Sequence, residues 1–221
     1  MKRATRKTAR LPLMCALLVG NSGQLASAQL PWEAWYLGLM APPYMDVWVE
    51  TIDVEDVQGR VFLRAGAGLA SVPRWGDPTG WPTRPAGGGR DVLGADLPRR
   101  IYVRWQSLVE PQTYHVTVEI PAHARDLMLT RVASDRAPDH SYYRNMLIVG
   151  LAPGGVAKAW VRSQSSQPVE VACQQAGVEK KGPYGGHSDG RYRPLSEPFA
   201  SYVKAHEVPY GSWKCEGPPI R

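Results

Sequence analysis

The chain has 221 residues, 43% of them hydrophobic and 21% charged, with 26 Lys and Arg against 20 Asp and Glu for a formal charge of +6. That length suits one domain with a real core, and the composition excludes both a disordered polar chain and a polytopic membrane protein. The basic excess points to nucleic acid or an acidic surface only if it belongs to the folded part.

It does not. Lys2, Arg3, Arg6, Lys7 and Arg10 precede the apolar run LPLMCALLVG at 11–20, and Ala26-Ser27-Ala28 supplies small residues two apart. A basic region, a short apolar region and a small-x-small site are the marks of a secretory signal peptide, and the apolar run is about half the length that spans a bilayer. The expectation is a leader over 1–28, cleaved after Ala28, and a single mainly β domain over 29–221 in the periplasm. Most of the apolar stretch follows Cys15, which fits a lipidation site poorly; a lipid anchor is the alternative to a soluble mature chain without a transmembrane segment. Without the leader's five basic residues, 21 remain against 20 acidic ones, a charge of +1. Nucleic acid is not an expected partner.

The elements run as strands for most of the chain. Residues 32–40 (WEAWYLGLM) and 46–54 (DVWVETIDV) have strand composition, and a turn at 56–59 leads into 60–64. At 101–108 the apolar Ile101, Val103 and Trp105 alternate with Tyr102, Arg104 and Gln106. At 113–120 Tyr114, Val116, Val118 and Ile120 alternate with His115, Thr117 and Glu119. Val109–Gln112 between them reads as a hairpin connection. Pro121 opens a short helix over 121–131, and 134–141 is turn-like. Strands follow at 145–151 and 156–162 around the reversal at 152–155, and another at 168–173. A short helix begins near Ser196, with Phe199, Tyr202, Val203 and His206 at helical spacing. The expected fold is mainly β: a single-domain antiparallel β-sandwich or strongly curved sheet with one or two short peripheral helices.

Two stretches read as irregular. Residues 73–94 hold six glycines and four prolines, with Trp75, Trp81, Arg84 and Arg90; residues 182–194 hold Tyr184, Arg191, Tyr192 and Arg193. Aromatic and arginine side chains dominate the anchors of protein interfaces, so these eight are candidate partner-binding residues. The competing reading folds Trp75 and Trp81 back over a sheet, and a carbohydrate-stacking face is a third. Cys173 and Cys215, the two cysteines left after the leader, predict one disulfide tying the Gly/Pro-rich tail to the body.

Catalytic patterns do not appear. The five histidines form no ligand spacing, and Asp139-His140-Ser141 and His187-Ser188-Asp189 are neighbours in a loop rather than a converging triad. Ala152–Gly155 lacks the ending of a phosphate loop. The expectation is a non-enzyme with no cofactor and no metal; an unrecognised hydrolase would need convergent polar groups in a cleft.

Three motifs carry a resemblance: WYLGLMAPPY with VWVE at 35–50, LPRRIYVRWQSLVEPQTYHVTVEIP at 97–121, and NMLIVGLAPGGVAKAWV at 145–161. Together they resemble DUF2931, a family of exported Gram-negative proteins, often lipoproteins. The resemblance implies a periplasm-facing protein without recognised catalytic residues. It also implies, from members encoded beside phospholipase effectors of type VI secretion systems, an immunity protein that neutralises a cognate lipase by occlusion. The alternative is a non-catalytic envelope module for glycan, lipid or protein.

Overall fold

The computed structural model describes residues 30–71 and 76–215. The expected leader, Cys15, the cleavage position and Trp75 lie outside them. In chain order the elements are β1 (Ala34–Met40), β2 (Val47–Asp56), β3 (Val61–Ala70), β4 (Gly88–Leu93), β5 (Pro98–Ser107), β6 (Gln112–Glu119), α1 (Ala122–Leu129), β7 (Arg131–Ala133), β8 (Ser141–Tyr143), β9 (Met146–Ala152), β10 (Val156–Arg162), β11 (Val169–Gln175), β12 (Gly177–Val178) and α2 (Phe199–Ala205).

Alternation decides which way each strand faces. Ile101, Val103 and Trp105 are fully buried, as are Val47, Val49, Ile52 and Val54 across the β2–β5 ladder. They face Trp35, Leu37, Leu147, Val149, Leu151, Ala157, Ala159 and Val161 from the other layer, forming one core between two five-stranded sheets. The first sheet has the order β11-β10-β9-β1-β4 and the second β12-β6-β5-β2-β3; β7 and β8 form a separate small hairpin. Helix α1 closes one end with Ala124 and Met128, both fully buried. The β5–β6 and β9–β10 turns lie at the other end. This is the mainly β, sandwich-like domain with two short helices that the sequence predicts.

Two features depart from expectation. The sheets are not wholly antiparallel, because β1 pairs parallel with β9, from Tyr36 opposite Met146 to Met40 opposite Gly150. The stretch 73–94 is not irregular throughout, since β4 pairs antiparallel with β1. Glycine makes that pairing possible: a Cβ on Gly87 or Gly89 would collide with the Leu39 or Leu37 carbonyl. Composition that usually signals a loop here admits a strand pressed against its neighbour.

Cys173 on β11 is disulfide-bonded to Cys215, with Cα atoms 5.5 Å apart, as the sequence predicts. The tail held in this way buries Trp213 completely.

Candidate functional site

The predicted binding residues separate into groups on opposite faces of the sandwich. Trp81 lies on the outer face of the first sheet, its ring centre 5.2 Å from that of Trp160 in an edge-to-face contact, above Gly150. Its indole N–H donates to the Trp213 carbonyl at 3.3 Å, while the Trp213 indole N–H donates to the carbonyls of Pro78 at 3.0 Å and Gly80 at 3.1 Å. Trp81 therefore folds back over the sheet. Arg84 is drawn into an ion pair with Asp135 at 3.0 Å, and Arg90 is exposed on the edge strand β4.

Tyr184, Arg191, Tyr192 and Arg193 belong to a loop lying on the outer face of the second sheet. What holds it there is a polar cluster on β2 and β5. The Glu50 side chain is fully buried; its carboxylate accepts from Arg104 Nε at 2.6 Å, Gln106 Nε2 at 2.9 Å and the Tyr184 backbone N–H at 2.7 Å. Gln106 in turn accepts from the Arg193 backbone N–H at 2.9 Å. The two ends of the loop are thus pinned by main-chain donors to buried side chains, an arrangement that satisfies groups which would otherwise be costly to bury.

Between these anchors the side chains have different roles. The Arg193 guanidinium stacks on the Trp48 ring, 4.0 Å from its centre, and Nη2 reaches the Tyr184 hydroxyl at 3.5 Å. Arg191 has a side chain 81% exposed, with a loose ion pair to Asp189 at 3.6 Å and its Nε donating to the Ser188 carbonyl of the same loop at 3.2 Å. Tyr192 is half-buried. Beside the loop is an open cleft of about 370 Å³ walled by Glu50, Asp53, Leu63, Arg64, Arg104 and Tyr184.

Three carboxylates near this end were not among the residues singled out from sequence. Glu110, in the β5–β6 turn, accepts from the Tyr114 hydroxyl at 3.1 Å and the Gly154 N–H at 2.6 Å, joining the two turns. Burial, with Glu110 beside it, pushes the Tyr210 phenol up to about 12 and shifts Tyr114 in the same direction. Asp46, just before β2, is 1% exposed and its carboxyl is pushed up to about 6 by burial. A charged residue on a strand ordinarily meets solvent; at Glu50, Arg104 and Gln106 together with the loop that descends on it make the carboxylate internal.

The short polar runs turn out to serve local structure. The Ser141 hydroxyl accepts from Arg131 Nε at 2.9 Å across the β7–β8 hairpin, and the Ser188 hydroxyl donates to the Pro183 carbonyl at 3.3 Å. Among the described residues no group of three or more His, Cys, Asp and Glu side chains is arranged to hold a metal, and no helix is long and apolar enough to cross a membrane.

Comparison with known families matches the chain to DUF2931, described as a protein of unknown function, over residues 21–211. The chain belongs to DUF2931. The match covers both sheets, both helices, the disulfide-linked Cys173 and the loop over Glu50, so the whole described sandwich is this family's domain up to residue 211. Among curated proteins and among solved structures nothing matches.

Proposed function

We propose that this DUF2931 protein is an exported, non-catalytic binding protein of the periplasm, cleaved after Ala28. In this reading it is an immunity protein that binds and neutralises a type VI secretion lipase effector by covering its active cleft or membrane-engaging surface. The observation that carries the reading is the loop 182–194. Its backbone is fastened at Tyr184 and Arg193 to Glu50 and Gln106, while Arg191 extends into solvent. A recognition segment ordered before it binds loses little conformational freedom on association, and arginine with tyrosine is the composition of interface anchors.

Other features support export. A disulfide between Cys173 and Cys215 suits an oxidising compartment. The family match begins at residue 21, leaving both the basic run and the whole apolar run at 11–20 outside it.

A glycan-binding module is the less favoured alternative, because it needs free indole faces. The Trp81 ring packs against Trp160, and the Trp48 ring carries Arg193.

The test is co-purification with a lipase encoded beside this gene, followed by a lipase assay. Stoichiometric binding with loss of lipase activity is expected. No binding to, and no protection from, any adjacent effector overturns the immunity reading.

A further inference from the structure

The loop leaves one strongly polar group on its own face unused. Asp46 precedes β2 and shares the side of Trp48, two residues on. Neither of its carboxylate oxygens has a hydrogen-bond partner among the described residues. It belongs to the lining of a cavity of about 220 Å³, whose other walls include Trp48, Leu69, Leu108, Arg193 and Pro194. Arg193 is the cation in that lining, and it is turned toward the Trp48 ring and the Tyr184 hydroxyl. Burying a carboxylate without a donor is costly, and the cost is removed only by protonation or by an incoming donor.

We propose that this cavity receives an arginine side chain of the protein partner, its guanidinium donating to both Asp46 oxygens. The proposal rests on the protein-binding reading above. Two vacant oxygens on one carboxylate match the planar fork of a guanidinium, which is also less strongly hydrated than an ammonium and so leaves water more readily. The apolar walls at Leu69, Leu108 and Pro194 suit the methylene stem of such a side chain. The carboxylate is closed to bulk water, so the guanidinium reaches it as a wall of the cavity gives way; of the lining residues, Pro194 and Ser196 are exposed and form the wall assigned to that movement. The cavity lies beside the pinned loop: Arg193 both ends the loop and forms the cavity wall, so one partner surface meets Arg191 and Asp46 together.

The experiment is a titration of the protein with N-acetyl-arginine amide, followed at the Asp46 side-chain carboxyl carbon by NMR. The neutral isostere N-acetyl-citrulline amide serves as control. A saturable shift with the arginine probe and none with citrulline is expected, and Asp46→Asn weakens binding by about ten- to hundred-fold, the range for a hydrogen-bonded charged pair. Failure of the Asn variant to fold leaves the titration of the unaltered protein to decide. An equal response to both probes, no response at Asp46, or an Asp46 that titrates below its ordinary range in the free protein, because a cation of its own chain already fills the cavity, overturns the proposal. The titration uses no lipase, so it can fail while the immunity reading stands, and the reverse.

Discussion

Trp81 and Trp213 hold each other by their backbones: the indole of Trp81 donates to the Trp213 carbonyl, and the indole of Trp213 donates to carbonyls just before Trp81. Residues 132 apart in sequence thereby close a clasp over the outer face of the first sheet. Its far end is fixed to β11 by the disulfide, two residues beyond Trp213.

Removing that bond by Cys215→Ser, or by reduction, frees the clasp. A cross-link between residues 42 apart contributes about 4 kcal/mol on the chain-entropy account. Denaturation with and without reductant measures the loss. Hydrogen exchange should rise first at Trp213 and along 78–81, while β2 and β5 stay protected.

Gly150→Ala tests the seat of Trp81. An added methyl would lie 2.5 Å from the Trp81 ring and 2.8 Å from that of Trp160, and neither bulky ring can move without the other. The expected cost is about 1–3 kcal/mol, as for other overpacked sites, with a change in tryptophan emission and faster proteolysis at 76–87.

Two aspartates give opposite pH dependences. Asp46 has a folded pKa of about 6 against an ordinary 3.8, so the folded chain binds the extra proton between those values. Its contribution to stability falls as pH rises from about 4 to 6, by about 3 kcal/mol. Asp46→Asn should therefore stabilise at pH 7 and change little at pH 4. For Asp56, burial works to raise the carboxyl, but the N–H groups of Arg60 and Asp96 and the Arg60 guanidinium outweigh it and hold the pKa down. That contribution is present above the ordinary carboxylate range and disappears as pH falls through the depressed value. Asp56→Asn should destabilise at pH 7 and progressively less under acid. Urea midpoints taken relative to the unaltered protein should lie on opposite sides of it at pH 7 and converge on it as the pH is lowered toward 3.

Arg191 and Arg193 are neighbours but one, and they should behave differently. Arg191→Ala leaves stability within about 0.5 kcal/mol, as for an exposed side chain, and weakens partner binding. Arg193→Ala gives up its stacking on Trp48 and costs about 0.5–1 kcal/mol of stability. Thermal unfolding beside a binding isotherm separates them; equal stability losses contradict the division of the loop into anchor and contact.

Glu50→Ala removes an acceptor shared by Arg104, Gln106 and Tyr184. Leaving a partly buried guanidinium without its counter-charge costs about 3–5 kcal/mol, and the loop should lose its order in amide exchange.

The strands were legible where one face is wet and the other dry, as at Ile101, Val103 and Trp105, because period-two alternation follows directly from the pleat. The disulfide was legible because only two cysteines follow residue 28. β4 was hidden because its glycines serve close approach to β1, a role that only the neighbouring strand reveals. The candidate loop residues were identified by type, but their division between faces was not: Trp81 and Arg193 look alike as interface anchors, and tertiary contacts alone set one on Trp160 and the other on Trp48. Asp46 and Glu50 are not legible because a charged residue in or beside a half-exposed strand normally meets solvent, and the segment that lies against each, Tyr184 on Glu50 and Arg193–Pro194 beside Asp46, comes from more than 130 residues further along.

The parallel pairing of β1 with β9 bears on how the chain comes together. β1 is not an edge but an interior strand, with β4 on one side and β9 on the other. A polypeptide that emerges amino end first presents this apolar segment early, then waits for more than a hundred residues to appear before its second neighbour exists. Until then Leu37, Leu39 and Met40 face an unfinished layer. Assembly of the first sheet is thus governed by a long-range event, the kind of pairing that slows folding.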